Sequence, residues 1–356
     1  MAKEKKSALK KNEGVSQSEL TNSNAISHIK KKRLESPNTQ TLIKHILNKD
    51  ISALSRAITL VESNNPKHLK QANNIINACL PHAEKSIRIG ITGVPGVGKS
   101  SFIETFGKHL TAIGKRVAVL AIDPSSSLSK GSILGDKTRM ETLAKDPNAF
   151  IRPSATGTTL GGVARKTRET ITLCEAAGYN VIIIETVGVG QSETTVHSMV
   201  DFFLLLQLTG AGDDLQGIKR GVIEMADAIA INKADGANLK QAQLTKADLE
   251  RSLHLYPEKE SQWQPKVTTC SALKNEGIAD VWQLILEYIH LTKKNHYFEV
   301  KRREQNKYWL IQTIESQLKY DFFNRETIQK EMAKQIELIE QQKTTPFAAA
   351  EYLLGL

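Results

Sequence analysis

Cysteine is scarce. Cys79, Cys174 and Cys270 are the only three in 356 residues, odd in number, far apart and without a CxxC pair. That spacing excludes a disulfide framework and a thiolate zinc site and fits a reducing compartment, with the thiols acting as small buried apolar groups. Long apolar runs are missing too. The longest, around Phe202–Leu206, has the length of a strand, well short of the ~18 residues of a membrane-spanning helix. The opening residues MAKEKKSALKKNEG lack the apolar stretch of a secretory leader. They carry Glu4 and Glu13 and no arginine before Arg33, which argues against a mitochondrial transit peptide. The expected location is cytoplasmic. No internal repeat is present.

The charge is not distributed as a nucleic-acid binder would have it. The chain carries a net +10, but residues 1–35 hold nine Lys/Arg against four Glu, so half of the excess sits on a polar segment predicted to be a disordered basic tail. A weak, salt-sensitive attraction to acidic partners is all that this supports. Neither nucleic acid nor membrane is an expected partner.

What is present divides into four regions. After the tail at 1–35, residues 36–86 show helical apolar spacing (Leu42, Ile43, Ile46, Leu47, Leu54, Ala57, Ile58, Leu60, Val61), a break at Asn64-Asn65-Pro66, and a second helix from Leu69 to Leu80. This predicts a helical hairpin. Residues 87–291 alternate short apolar runs with helical segments. Strands are predicted at Ile87–Gly93, Val117–Asp123, Phe150–Pro153, Val181–Thr186, Phe202–Gln207, Ala228–Asn232 and Val267–Cys270. Their nearly unbroken Val, Ile, Leu and Phe suit strands covered on both faces, and the helices between them suit right-handed crossovers. The fold class is therefore α/β, a mostly parallel sheet flanked by helices. From Ile278 to Phe323 there is neither Pro nor Gly, so helix is expected nearly to the C-terminus, with 292–356 as a helical extension that docks on its own chain or on a second copy.

One loop carries the chemistry. GVPGVGKS at 93–100 matches GxxxxGK[ST], follows an apolar strand and opens a helix. Its glycines Gly93, Gly96 and Gly98 allow the backbone from Gly93 through Val94, Pro95, Val97 and on to Ser101 to turn successive N–H groups toward phosphate oxygens, aided by the positive end of the helix. Lys99 would reach the β- and γ-phosphates and Ser100 would ligate Mg²⁺. The architecture predicted is that of a P-loop nucleotide-binding protein.

The base is read from NKAD at 232–235, behind the strand Ala228–Ile231. The Asp235 carboxylate can accept from guanine N1–H and the 2-amino group, neither of which adenine offers. Asn232 can meet the O6/N7 edge and the stem of Lys233 can pack on the base. A site that leaves a buried carboxylate unpaired rejects the wrong base by ~10⁴-fold. Ser271, Ala272 and Leu273 follow the next strand, where a backbone N–H meets guanine O6. GTP and GDP are thus the expected ligands. Asp123 and Glu185 stand at strand ends as candidates to hold Mg²⁺, directly or through water. Gly188, three residues after Glu185, occupies the place of a glycine that senses the γ-phosphate. Gln191 invites a water-positioning role, although it stands three residues beyond Gly188.

Taken together, GVPGVGKSSF (93–102), AIDPSSSLSKGSILGDKTRM (121–140), TLGGVARKTRE (159–169), ETVGVGQSE (185–193), GAGDDLQGIKRG (210–221) and NKAD resemble the MeaB/ArgK group of P-loop GTPases, similar to the human methylmalonic aciduria type A protein, over roughly residues 40–345. The resemblance implies a SIMIBI-class, metal-dependent GTPase. Such a protein serves as chaperone to an adenosylcobalamin-dependent acyl-CoA mutase, gating cofactor delivery and protecting or reactivating the enzyme. It also implies a homodimer formed through the C-terminal helices. By the same resemblance Asp136 joins Asp123 and Glu185 near the metal, and Asp213 to Lys219 form a third switch, with Lys219 approaching the nucleotide once a partner docks. Lys137 and Arg139 are candidates for stabilising charge. The alternatives are a small-molecule kinase or transport-associated ATPase, for which no acceptor pocket with a base is legible, and a metallochaperone, for which Cys/His clusters are lacking.

Overall fold

The computed structural model describes residues 38–63, 65–122, 140–153, 160–186, 192–210 and 220–356. Three helices open it: α1 (Thr39–Leu47), α2 (Ile51–Glu62) and α3 (Pro66–Cys79). The predicted hairpin therefore gains a helix. The apolar spacing from Leu42 to Val61 is interrupted where Lys49 turns to φ 67° and Asp50 caps a fresh start, its carboxylate accepting from the N–H groups of Ser52 and Ala53. An Asp at this position satisfies orphan N–H donors that an uninterrupted helix would not have. The predicted break after Glu62 holds. Helix α3 begins earlier than expected, at Pro66, with the Asn65 side chain capping Lys67 N–H.

The sheet has seven strands: β1 (Ile87–Gly93), β2 (Val117–Ile122), β3 (Ala149–Arg152), β4 (Val181–Thr186), β5 (Phe202–Gln207), β6 (Ala228–Ile231) and β7 (Lys266–Thr269). They lie in the order β3-β2-β4-β1-β5-β6-β7 and every pairing is parallel. Each coincides with a predicted strand to within a residue at either end. Successive side chains go to opposite faces, so each strand feeds two cores. Ile182 and Ile184 join α1–α3 and α6 (Leu160–Ala176) on one side, while Val181 and Ile183 join α4 (Lys99–Ala112) and α10 (Ile278–Lys294) on the other. Helices α5 (Glu141–Ala144), α7 (Ser192–His197), α8 (Arg220–Met225) and α9 (Leu239–Leu253) complete the crossovers.

Strand β1 is central, with β4 on one side and β5 on the other. The chain winds away from β1 in both directions, which opens a crevice at the carboxyl ends of these strands, the usual ligand position in such sheets. The glycine loop follows β1 directly into that crevice.

The predicted long C-terminal helix is broken at Asn295–His296, at Asn324–Arg325 and again over 341–345. This gives α10, α11 (Tyr297–Phe323), α12 (Glu326–Glu340) and α13 (Pro346–Leu354). Neither Pro nor Gly causes the first break. Asn295 donates its side-chain N–H to Ser261 O (2.9 Å) and accepts from Tyr297 N–H (3.1 Å), and His296 adopts φ 63°. The start of α11 is moored to the end of the sheet opposite the glycine loop. Arg302 grips the Asp201 carboxylate through two nitrogens and donates to the carbonyls of Glu84 and Ser86, and Gln305 and Trp309 donate to Val200 O and Ser198 O. Beside it, Arg88 and Glu175 form a fully buried pair whose remaining carboxylate capacity is met by Ser86 Oγ and Glu84 N–H. A buried pair depends on such added hydrogen bonds; those of the carboxylate are met, while Arg88 Nη1 has no partner among the described residues. Among the described residues no helix is long and apolar enough to cross a membrane.

Candidate nucleotide site

The glycine loop is built by backbone conformations that a side chain would spoil. Gly98 stands at φ 90°, and a Cβ there would meet the Asn232 amide nitrogen at 3.0 Å. The loop can therefore lie against β6 only with glycine at that position. Helix α4 starts at once, at Lys99, with Val97 buried beneath the loop and Ser100 and Ser101 on its first turn. The Lys99 ammonium donates to Gly93 O (2.8 Å) and Val94 O (3.3 Å), lying back across the loop. Burial lowers its pKa from the ordinary lysine value, and the charges of Glu185 and Glu193 act against that shift. Two carboxylates at the end of β4 and the start of α7 thus share the electrostatic environment of this lysine.

Asn232 joins the loop to the base-reading segments. Its side chain, almost fully buried at the end of β6, donates to Val97 O (2.9 Å), while its oxygen accepts from Ala272 N–H (3.2 Å). One amide thereby ties the phosphate loop, β6 and the segment after β7. Lys233, at φ 60°, lays its stem along the loop and donates to Gly96 O (2.8 Å). The Asp235 carboxylate accepts from the buried Ser271 hydroxyl, which itself accepts from Lys274 N–H (3.1 Å). The turn at 271–276 is closed by a bridge between Ser271 and Glu276, leaving Leu273 at its tip with 85% of its surface exposed.

Glu185 is 8% exposed, in register with Ile91 of β1 and Ala121 of β2. Next to it Thr186 donates its hydroxyl to Thr92 (2.8 Å), a buried polar link between β4 and β1 just below the crevice. A serine hydroxyl and a carboxylate are hard oxygen donors of the kind Mg²⁺ takes, so the chemistry of Ser100 and Glu185 fits that ion. Asp123, Asp136, Gly188, Gln191 and Lys219, together with Lys137 and Arg139, lie outside the described residues.

The structure thus brings together the residues from Gly93 to Ser101 with Glu185, Asn232, Lys233, Asp235 and Ser271 to Leu273, which come from four separate stretches of the chain. The profile of a family described as "Methylmalonyl Co-A mutase-associated GTPase MeaB" matches residues 54–327. The chain belongs to the MeaB family. It is a GTPase of that family, and its resemblance to the MeaB/ArgK group holds.

Relatives match over most of their length. A protein of Mycobacterium tuberculosis named as a probable GTPase is 48% identical over 307 residues, 86% of this chain and 91% of that protein. The mitochondrial methylmalonic aciduria type A homolog of Mus musculus is 42% identical over 313 residues, 85% of this chain and 75% of that one. A crystal structure of a LAO/AO transport system kinase superposes with a TM-score of 0.72 at 34% identity, covering 90% of this chain and 98% of that one.

Three contributors to this MeaB-family site escaped the sequence reading. Thr92 and Thr186 sit inside apolar strands and look like ordinary β-branched core residues. Thr105, in the middle of α4, belongs to no motif, yet its hydroxyl donates to Ala272 O at 2.9 Å. A cavity of about 910 Å³ at the opposite end of the sheet, lined by His197, Asp227, Trp263 and Tyr297, takes no part in this arrangement; the Lys259 and Lys301 cations that line it are held by Asp227 and by backbone carbonyls.

Proposed function

We propose that this GTPase binds GTP in the crevice at the end of β1 and hydrolyses it to time a contact with a cobalamin-dependent acyl-CoA mutase. The backbone from Gly93 to Ser101 and the Lys99 ammonium hold the phosphates. Asp235, set by Ser271, takes the guanine edge, and Ser271 to Leu273 supply a backbone donor for O6. The observation that carries this reading is the double hold of Asn232 on Val97 and Ala272, which makes the phosphate loop and base loop one unit. Mg²⁺, held by Ser100 and Glu185 with Asp123 and Asp136 as further candidates, would neutralise phosphate charge when bound. Catalysis by this chain is positional and electrostatic: the loop aligns the γ-phosphate for in-line attack by water. Gly188 senses the γ-phosphate and Lys219 stabilises developing charge once the partner has docked. A site completed by a partner turns over slowly alone.

The mutase is of the methylmalonyl-CoA mutase type, and the role is that of a chaperone that gates adenosylcobalamin loading, protection or reactivation. The name of the matched family and the kinship with the mouse homolog support this client. The protein acts as a homodimer through its C-terminal helices. Leu310, Ile314 and Leu318, four residues apart on α11, are all roughly half exposed or more, a continuous apolar stripe of the kind a second copy covers.

The test is GTP hydrolysis by the full chain with Mg²⁺, alone and with methylmalonyl-CoA mutase, against ATP. Slow GTP-specific turnover that rises several-fold with the mutase is the expected result. GTP-specific turnover indifferent to the mutase would remove the client and keep the GTPase. Preference for ATP would remove the guanine assignment and revive the transport-ATPase or kinase alternative.

A further inference from the structure

Both main-chain polar groups of Ala272 are held by side chains of other elements. Its N–H is taken by Asn232 Oδ1 (3.2 Å) and its carbonyl by Thr105 Oγ1 (2.9 Å). Asn232 reaches on to Val97 O (2.9 Å), and Thr105 belongs to α4, the helix that the phosphate loop itself opens. The result is a closed circuit: Val97, Asn232, Ala272, Thr105, and back through one turn and a half of α4 to the loop. Because Thr105 lies six residues beyond Lys99 on a rigid rod, the base loop is set at ~9 Å along the helix axis from the phosphate-binding lysine.

We infer that Thr105 is a positioning residue for guanine specificity: by holding the Ala272 carbonyl it orients the Ala272–Leu273 peptide so that the backbone N–H groups of the base loop meet O6. A trans peptide is planar, with C=O and N–H on opposite sides. Fixing the Ala272 carbonyl toward α4 therefore turns the Leu273 N–H away from α4, to the open side of the loop. Leu273 is exposed at the tip and the only apolar group the tip itself buries is the small Ala272 methyl, so the hydrogen bonds of Ala272 carry much of the loop's orientation. A donor aimed at that point attracts a 6-oxo group and repels a 6-amino group, which is the difference between guanine and adenine. The hydroxyl is shared with Ser101 O (3.1 Å), a helix-internal acceptor that keeps its rotamer fixed. Ala at this position would serve the helix as well but has no donor for this contact. The inference rests on the guanine-site reading and adds to it a residue outside every nucleotide-binding motif.

The experiment measures binding of GDP, IDP and ADP to the full chain and its Thr105→Val and Thr105→Ser variants, with GTPase kinetics alongside. IDP keeps the 6-oxo group and lacks only the 2-amino group that Asp235 reads. The expected result is that Thr105→Val, which keeps the branched shape, weakens GDP and IDP by the same factor, about five- to ten-fold, for one neutral hydrogen bond. The KM for GTP rises to match while kcat is unchanged, ADP binding is unaffected, and Thr105→Ser restores wild-type behaviour with the melting temperature of all three proteins alike. Wild-type affinity of Thr105→Val for GDP overturns the inference and leaves the guanine site standing. Loss of GDP but not IDP also overturns it, because the hydroxyl would then act through Asp235. If the wild-type chain does not prefer GDP to ADP, the reading beneath it fails, and the inference with it.

Discussion

At the scale of single residues, polar side chains in this protein are buried where they join segments and rarely elsewhere. Asn232, Ser271, Thr92, Thr186 and Thr105 each use a short polar group to tie two pieces of backbone at the carboxyl end of the sheet. The opposite end holds a titratable exception. His197 lies edge-on to Phe203 and is faced by Lys301 from α11, Lys259 from the loop after α9 and Asp227 at the start of β6. Burial, then the Lys301 charge, push its pKa down to about 4, with Asp227 opposing. A folded pKa below that of the unfolded chain means that the unfolded state takes up the proton first as the pH falls. The stability is therefore fully present above about pH 6.5 and lost progressively down to about pH 4. The full loss is up to ~3 kcal/mol, less to the extent that water enters the neighbouring cavity. Carboxylates held low by arginine, such as Asp201, act only below their own unfolded value, and Glu169, which burial raises, acts in the opposite sense, so the comparison with a His197 variant is what isolates the histidine. Urea midpoints from about pH 6.5 down to about pH 4.5 should fall for the wild-type chain and stay flatter for His197→Gln; equal slopes would assign the effect elsewhere.

At the scale of elements, boundaries are set by a few backbone devices. Asp50 starts a helix that periodicity alone would have merged with its predecessor, and Asn295 ends one that composition alone would have continued. Gly277 does more, because it launches α10 directly from the base loop. It stands at φ 69°, and a Cβ would meet Thr269 O at 2.4 Å and Cys270 Cα at 3.1 Å. Gly277→Ala should therefore destabilise the protein by about 2 kcal/mol, the sum of a left-handed backbone penalty and a clash with main chain that cannot rotate away. It should also weaken GDP binding, since Glu276 next to it closes the turn that carries Ser271. A thermal melt and a GDP titration read both effects, and an unchanged melting temperature would show that the loop relaxes freely.

At the scale of the whole molecule, a nucleotide-binding sheet is joined to a helical arm that leaves its apolar residues open. Helix α11 is buried at its start through Arg302, Gln305 and Trp309, then presents Leu310, Ile314 and Leu318 at the surface. The C-terminal PFAAAEYLLGL segment divides likewise: Ala349 and Leu353 are buried, while Phe347 is 84% and Leu354 72% exposed. Docking on the same chain and an open arm both operate in one short helix. If these faces join two copies, Leu310→Glu with Leu318→Glu should convert a dimer to a monomer by sedimentation, with GTP hydrolysis by the isolated protein retained. A wild-type monomer at micromolar concentration would remove the dimer.

What the sequence determined by itself was the sheet and its ligand loop. Strands covered on both faces must be apolar throughout, so all seven were legible as runs of Val, Ile, Leu and Phe. The glycine loop was legible because its motif specifies both a backbone conformation and a lysine between a strand and a helix, and NKAD because it directly follows a strand that reads as an apolar run. Contacts between distant segments were not legible, because a hydrogen bond from a threonine hydroxyl to a backbone carbonyl leaves no trace in residue spacing. Thr105 reads as one more helical residue until the turn at 271–276 is placed beside it. The end of α10 was hidden for the same reason, since Asn295 is held by the distant Ser261 carbonyl. The split between α1 and α2 rests instead on a local cap, Asp50 on Ser52 and Ala53, inside an otherwise helical apolar spacing. Local pattern decides which segments bury apolar area. Only the assembled structure decides which backbone groups are left for a buried side chain to satisfy, and in this protein they lie both around the candidate nucleotide site and at the opposite end of the sheet, where α11 is moored.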